Sequence, residues 1–161
     1  MLVFLNLILK SILMKKSILF SITLILSGII SYSFYKTSES YKSISETGIQ
    51  FTSISFEEAL KLAKKEKKNI FLDAYASWCG PCKMLKKNIF TQKEVGDFYN
   101  SNFINMAIDM EQGEGPKLAQ KYKVQAYPTL LFINHKGEVV GSALGYQQAD
   151  EIIALGKKYV K

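Results

Sequence analysis

The sequence has no arginine: all 21 basic residues are lysines, set against 14 acids. The planar guanidinium fork that suits phosphates and base edges is therefore missing, and the formal charge of +7 does not read as a nucleic-acid footprint. Four of the lysines, Lys10, Lys15, Lys16 and Lys36, lie in residues 1–36 with no acid among them. The remainder is close to balanced, as a soluble domain is. Cysteine is scarcer still, with two in 161 residues, which excludes a scaffold stapled by many disulfides. His135 is the one histidine; it falls in a stretch that reads as a turn and is assigned no role. A tetrahedral metal site needs four ligands, so metal binding here would require two chains to share their cysteines. No cofactor is implied.

Hydrophobic residues, by contrast, make up 48% of the chain, enough for one ordinary domain plus an appendage. The appendage comes first. Residues 17–35, SILFSITLILSGIISYSFY, run for nineteen positions without a charge, directly after Lys15 and Lys16. Two lysines before an apolar run are the layout of a secretory signal or signal anchor, long enough to span a bilayer. The lysines hold that end in the cytoplasm, so the residues beyond the run are expected outside. Residues 1–35 are therefore read as a signal peptide or anchor, attaching the chain to the membrane at least transiently. Met14 before Lys15 marks a candidate true start, and Ser31-Tyr32-Ser33 offers a weak cleavage site. Residues 36–50 (KTSESYKSISETGIQ) have linker chemistry, and 51–161 form the domain.

Within the domain the pattern alternates. Ser55 and Glu58 make a capping-box signature before the helical FEEALKLAKKEKK. Residues 69–76 read as a buried strand, 83–90 as a helix, and Thr91 with Glu94 as a second capping box before VGDFYN. Residues 103–109 give another buried strand, and Pro116 suits the first turn of a helix PKLAQKYK. Strands at 129–133 and 138–144 flank the turn Asn134-His135-Lys136-Gly137, and Gln147 to Val160 reads as an amphipathic helix. Strand–helix–strand followed by a hairpin predicts an α/β domain with a mixed central sheet flanked by helices.

The two cysteines stand three apart in Cys79-Gly80-Pro81-Cys82, where a strand ends and a helix begins. A cysteine at a helix N-terminus meets unpaired N–H groups and the positive end of the helix dipole, both of which favour a thiolate. Cys82, one turn on, is within reach of a disulfide. Pro81 pre-sets helical φ and needs no N–H partner, while Gly80 leaves room for an approaching disulfide.

Trp78-Cys79-Gly80-Pro81-Cys82-Lys83 resembles the active-site motif of the thioredoxin family. Asp73, six residues before Cys79, resembles that family's buried aspartate. Tyr127-Pro128-Thr129 is similar to its cis-proline segment, and Gly145 to the glycine after its last strand. The resemblance covers residues 51–161. The stretch FLDAYASWCGPCKMLKKNIF looks especially like the thioredoxin-like domain of exported thiol reductases, including the C-terminal domain of DsbD. It implies a thioredoxin fold and a redox-active Cys79–Cys82 disulfide, with Cys79 as nucleophile and Cys82 as resolving thiol. It also implies Asp73 as a base acting through water, and Trp78, Gly80, Pro81, Tyr127, Pro128 and Gly145 shaping the substrate surface. The expected activity is reduction of exported protein disulfides, recharged by a membrane thiol donor because no further cysteine is present. An oxidase or isomerase of exported thiols and a non-catalytic module are the alternatives. One departure stands out: where cytoplasmic thioredoxins place a lysine near the aspartate, this chain has Asn105, so burial should dominate the Asp73 pKa.

Several of these residues also have plainer readings. Asp73 could cap a turn or be a hydrogen-bonded core carboxylate. Trp78 could be core, and Pro128 an ordinary trans turn proline. Lys83, Lys86 and Lys87 read as a solvated face.

Overall fold

The computed structural model describes residues 47–161. The signal or anchor, its cleavage site, the alternative start and most of the linker lie outside the described residues. Among the described residues, no helix is long and apolar enough to cross a membrane.

The elements run α1 (Phe56–Glu66), β1 (Asn69–Tyr75), α2 (Gly80–Asn88), α3 (Lys93–Asn102), β2 (Phe103–Asp109), α4 (Gly115–Tyr122), β3 (Thr129–Ile133), β4 (Val139–Leu144) and α5 (Ala149–Lys157). They build one four-stranded sheet in the order β2-β1-β3-β4. β1 pairs parallel with β2, antiparallel with β3, and β3 antiparallel with β4. The sheet is mixed, as the alternation of strands and helices requires.

Side chains alternate across a strand, and β1, buried on both faces, splits its own evenly. Ile70, Leu72 and Ala74 join Phe56, Ala59 and Ala63 of α1 and Leu118 of α4 in one cluster. Phe71 points the other way, among Leu85 of α2, Tyr99 of α3, Phe132 and Ile152. The rings of Phe71 and Tyr99 pack with centroids 4.5 Å apart, tilted by 59°. Residues two apart share a face, so Asp73 lies on the same face as Phe71, beneath the helix that carries the cysteines.

The α1 capping box forms: Ser55 Oγ accepts from the Glu58 N–H, and the Glu58 carboxylate accepts from the Ser55 N–H. The second expected box does not. α3 starts at Lys93 with Gln92 as its cap residue, and the Thr91 hydroxyl instead donates to the Lys87 carbonyl at 2.7 Å, closing the end of α2. Packed structure also begins before position 51. Gly48 and Ile49 are buried, the Ile49 N–H donates to the Phe90 carbonyl at 2.7 Å, and the Asn100 amide donates to the Gly48 carbonyl at 3.0 Å.

Candidate functional site

β1 ends at Tyr75 and the chain turns once before α2. Cys79 is the cap residue of that helix, in extended conformation (φ −67°, ψ 112°). Its Sγ accepts the Cys82 N–H at 3.2 Å. This is one of the amides that a helix start leaves without an internal partner, so the sulfur occupies the place a capping oxygen would take. Cys79 and Cys82 form a disulfide, with S–S 2.05 Å and Cα–Cα 5.3 Å. Both are nearly sealed, 2% and 4% exposed, in a small cluster with Ala76, against which Tyr75 and Tyr127 pack. A side-chain carbon at Gly80 would meet nothing within 4 Å, so the space above the helix start stays open.

The rest of the rim comes from distant segments. Trp78 is 66% exposed and is not core. Its indole N–H donates to Glu111 Oε2 at 2.9 Å, and its ring stands edge-on to Tyr127 with centroids 5.9 Å apart. The Tyr127–Pro128 peptide bond is cis. The Gly145 N–H donates to the Pro128 carbonyl at 2.8 Å, tying the start of β3 to the end of β4. Gly145 has φ +86°, a conformation that side-chain-bearing residues rarely adopt.

Asp73 sits mid-strand, away from any helix start or turn, and 4% exposed. Its Oδ1 has no hydrogen-bond partner, so it neither caps a turn nor joins a bonded core network. Burial pushes its carboxyl up to about 7, and the Lys86 ammonium pulls it down by a smaller amount. Desolvation disfavours the charged form, and an opposite charge restores part of it. A cavity of about 520 Å³ joins the two halves of the site, since Asp73, Cys82, Lys83 and Lys86 all line it, with Phe51 and Thr52 opposite.

Asn105 is not beside Asp73. It registers with Phe71, while the strand partner of Asp73 is Ala107, and the Asn105 amide donates to Asn100 Oδ1 at 3.0 Å. The cation comes instead from α2. Lys86, which the sequence presents as part of a solvated face, faces the cavity; its position four residues after Cys82, hence on the same helical face, is the signal that could have found it. Glu111 also escapes a reading of the sequence, and nothing local marks it. His135 lies 2.9 Å from the Lys161 ammonium. Among the described residues, no group of three or more His, Cys, Asp or Glu side chains gathers in a metal-holding arrangement.

The comparisons with known proteins agree with this geometry. Residues 56–159 match the profile of a family described as "Thioredoxin-like domain". The thiol:disulfide interchange protein DsbD of Pseudoalteromonas atlantica is 33% identical over 106 residues, covering 63% of this chain and 18% of that protein. The chain thus spans about a fifth of the length of that relative. A Bacteroides thetaiotaomicron protein assigned provisionally as a disulphide-isomerase is 49% identical, with TM-score 0.63, over 70% of this chain and 93% of its own. The oxidised C-terminal domain of Neisseria meningitidis DsbD shares the fold, with TM-score 0.56 and 24% identity over 69% of this chain and 98% of its own.

Proposed function

The chain belongs to the thioredoxin-like family and is a thiol–disulfide oxidoreductase of the thioredoxin type, and from that premise we propose that it reduces disulfides of exported proteins. The observation that carries the reading is the sulfur of Cys79 capping α2 while Cys82 shares a cavity with a buried carboxylate. In the reduced form the Cys79 thiolate attacks a substrate disulfide and expels one substrate thiolate, forming a mixed disulfide. The Cys82 thiol gives its proton to Asp73 through water in the cavity, which is ample for several water molecules. The Cys82 thiolate then attacks the Cys79 sulfur and releases the second substrate thiolate. Two electrons pass to the substrate, and the Cys79–Cys82 disulfide remains.

Trp78 and Tyr127 present aromatic surface to the client, and the backbone beside Pro128 is the place for an extended client strand. Export rests on the signal-like segment 17–35 and on the likeness to DsbD proteins. A chain whose two cysteines are both spent in one turnover needs an external thiol donor, most simply one in the membrane.

A second reading has the Bacteroides relative in its favour: the same pair could isomerise wrong disulfides. The deciding experiment equilibrates the full-length protein against glutathione or dithiothreitol. A potential well below about −200 mV supports the reductase, while one near about −180 or −120 mV supports an isomerase or oxidase. Absence of any two-electron couple ends all three.

A further inference from the structure

Ten of the lysines gather at one end of the sheet, the end away from the disulfide. We propose that this lysine end is a docking surface for anionic phospholipid, seating the domain on a bilayer with Cys79 and Cys82 turned outward. The orientation rests on the reading of residues 17–35 as an anchor, which by itself would leave the domain free to face any way.

The topology brings these lysines together. β1 and β2 begin, and β3 ends, where Asn69 faces Phe103 and Ile70 faces Ile133. The cysteines follow the other end of β1, whose seven residues span about 23 Å. Lys64, Lys65, Lys67 and Lys68 lead into β1, and Lys136 sits in the β3–β4 turn. Lys121 and Lys123 end α4 against that turn, where the Tyr122 hydroxyl donates to the Gly137 carbonyl at 3.2 Å. Lys157, Lys158 and Lys161 join them: the Asn69 amide donates to the Tyr159 carbonyl at 2.8 Å, and the Lys161 ammonium lies 2.9 Å from His135. All but Lys68 are exposed. The acids within these segments are Glu66 and Glu138, and Glu66 lies 3.6 Å from Lys68.

Helix ends do not account for the whole cluster. A lysine in a last turn offsets the helix dipole, which suffices for Lys64, Lys65, Lys121 and Lys157. Lys67 and Lys123 lie beyond those turns in left-handed conformation, φ 56° and 53°, where glycine is the less strained residue. Lys136 and Lys161 belong to no helix. The acids collect at the redox end instead. Asp109, Glu111 and Glu114 close and follow β2, the Phe56 N–H of α1 donates to Glu114 at 3.0 Å, and the first turns of α1 and α5 carry two acids each. Lys83 and Lys86 line the cavity and stand outside this division. A domain polarised in this way turns its lysine end to a negative surface, and ammonium groups without guanidinium forks suit a diffuse charge better than a patterned one. The chain also enters at that end. The Asn100 amide donates to the Gly48 carbonyl at 3.0 Å, and the Lys68 ammonium to the Asn100 carbonyl at 3.5 Å. Residues 36–46 separate segment 17–35 from the described domain, a length that reaches at most about 40 Å, so a retained anchor keeps the lysine end within reach of the bilayer.

The test places the full-length protein in nanodiscs of phosphatidylcholine, with or without phosphatidylglycerol, and labels lysines briefly with an acylating reagent, read by mass spectrometry. With phosphatidylglycerol, labelling of Lys67, Lys123 and Lys136 should fall by about threefold or more, because an anionic surface attracts protons and depletes free amine beside it by about that factor. Lys83, at the redox end, should keep its rate. Salt at about 0.5 M should erase the contrast. The variant K67Q/K123Q/K136Q/K161Q should lose the protection of its remaining Lys64 and Lys158, while reducing a soluble protein disulfide as fast as wild type. Equal protection of Lys83 and Lys136, or none at Lys136, overturns the docking surface. If the chain does not stay in neutral discs, the anchor reading fails, and the same labelling with an excess of anionic discs still decides the lysine end. If wild type reduces no disulfide, the functional reading fails and the labelling result stands.

Discussion

Replacing Asp73 by asparagine should make the oxidised protein more stable, and only above a definite pH. The folded carboxyl holds its proton up to about 7, against 3.8 for the free group. Between those values the native state binds more protons than the unfolded chain, so stability falls as pH rises through the window. The stabilising contribution of the neutral acid is complete below 3.8 and lost once pH passes about 7. At about 1.4 kcal/mol per pH unit, a charged Asp73 costs about 4 kcal/mol at pH 8. Asparagine has nearly the shape of the protonated acid and cannot ionise. The assay is urea unfolding of disulfide-intact full-length protein by far-ultraviolet circular dichroism at pH 4 and pH 8. With a slope of roughly 1.5 kcal/mol per molar urea, the D73N midpoint should lie roughly 2–3 M above wild type at pH 8 and coincide with it at pH 4. Coincident midpoints at pH 8, or an equal gap at both pH values, would refute the reasoning. The gain in stability should come with a loss of activity: without the proton acceptor, reduction at pH 7 should slow by roughly a hundredfold.

Three other substitutions test separate parts of the account. C82A should stop turnover after the first attack and accumulate a mixed disulfide through Cys79, seen in mass spectrometry as a client adduct that dithiothreitol removes. Tyr99 donates its hydroxyl to the Ile152 carbonyl at 2.7 Å in a buried setting, so Y99F should cost about 1–2 kcal/mol of unfolding free energy in the same urea assay. A side chain at Gly96 would collide with the backbone of Gly48, so G96A should destabilise by more than about 2 kcal/mol despite alanine's better helix propensity.

The architecture was legible wherever one local signal sufficed. Largely apolar runs set the strands at 103–109 and 129–133 to the residue, although in β2 burial covers only its first four residues and Ala107 is exposed. The helix start at Gly80 followed from Pro81 and the cysteine before it. The false capping box shows the limit. Thr91 and Glu94 have the right spacing, yet the hydroxyl donates back to the end of α2 instead of accepting from α3, which starts one residue later, and the two uses look alike in sequence. Ile49 was concealed among polar neighbours because its burial depends on Phe90, far along the chain. For the site, the cysteine pair was readable from its spacing, and Asp73 only from the resemblance to the thioredoxin family.

β1 is bonded to a neighbour along both edges, and Asp73 is fixed to it. A strand held along both edges resists displacement, so opening the sulfur–sulfur bond beside it is expected to move sulfurs, protons and the first turn of α2 before it moves β1. A surface that keeps one contour in both oxidation states grips an electron-rich partner and an electron-poor one about equally well. Shape then decides which partner docks, and the relative electron affinity of the docked pair decides which way the current runs. On the proposed function, a chain with such a surface would discharge into one neighbour and recharge from another, its direction set by supply.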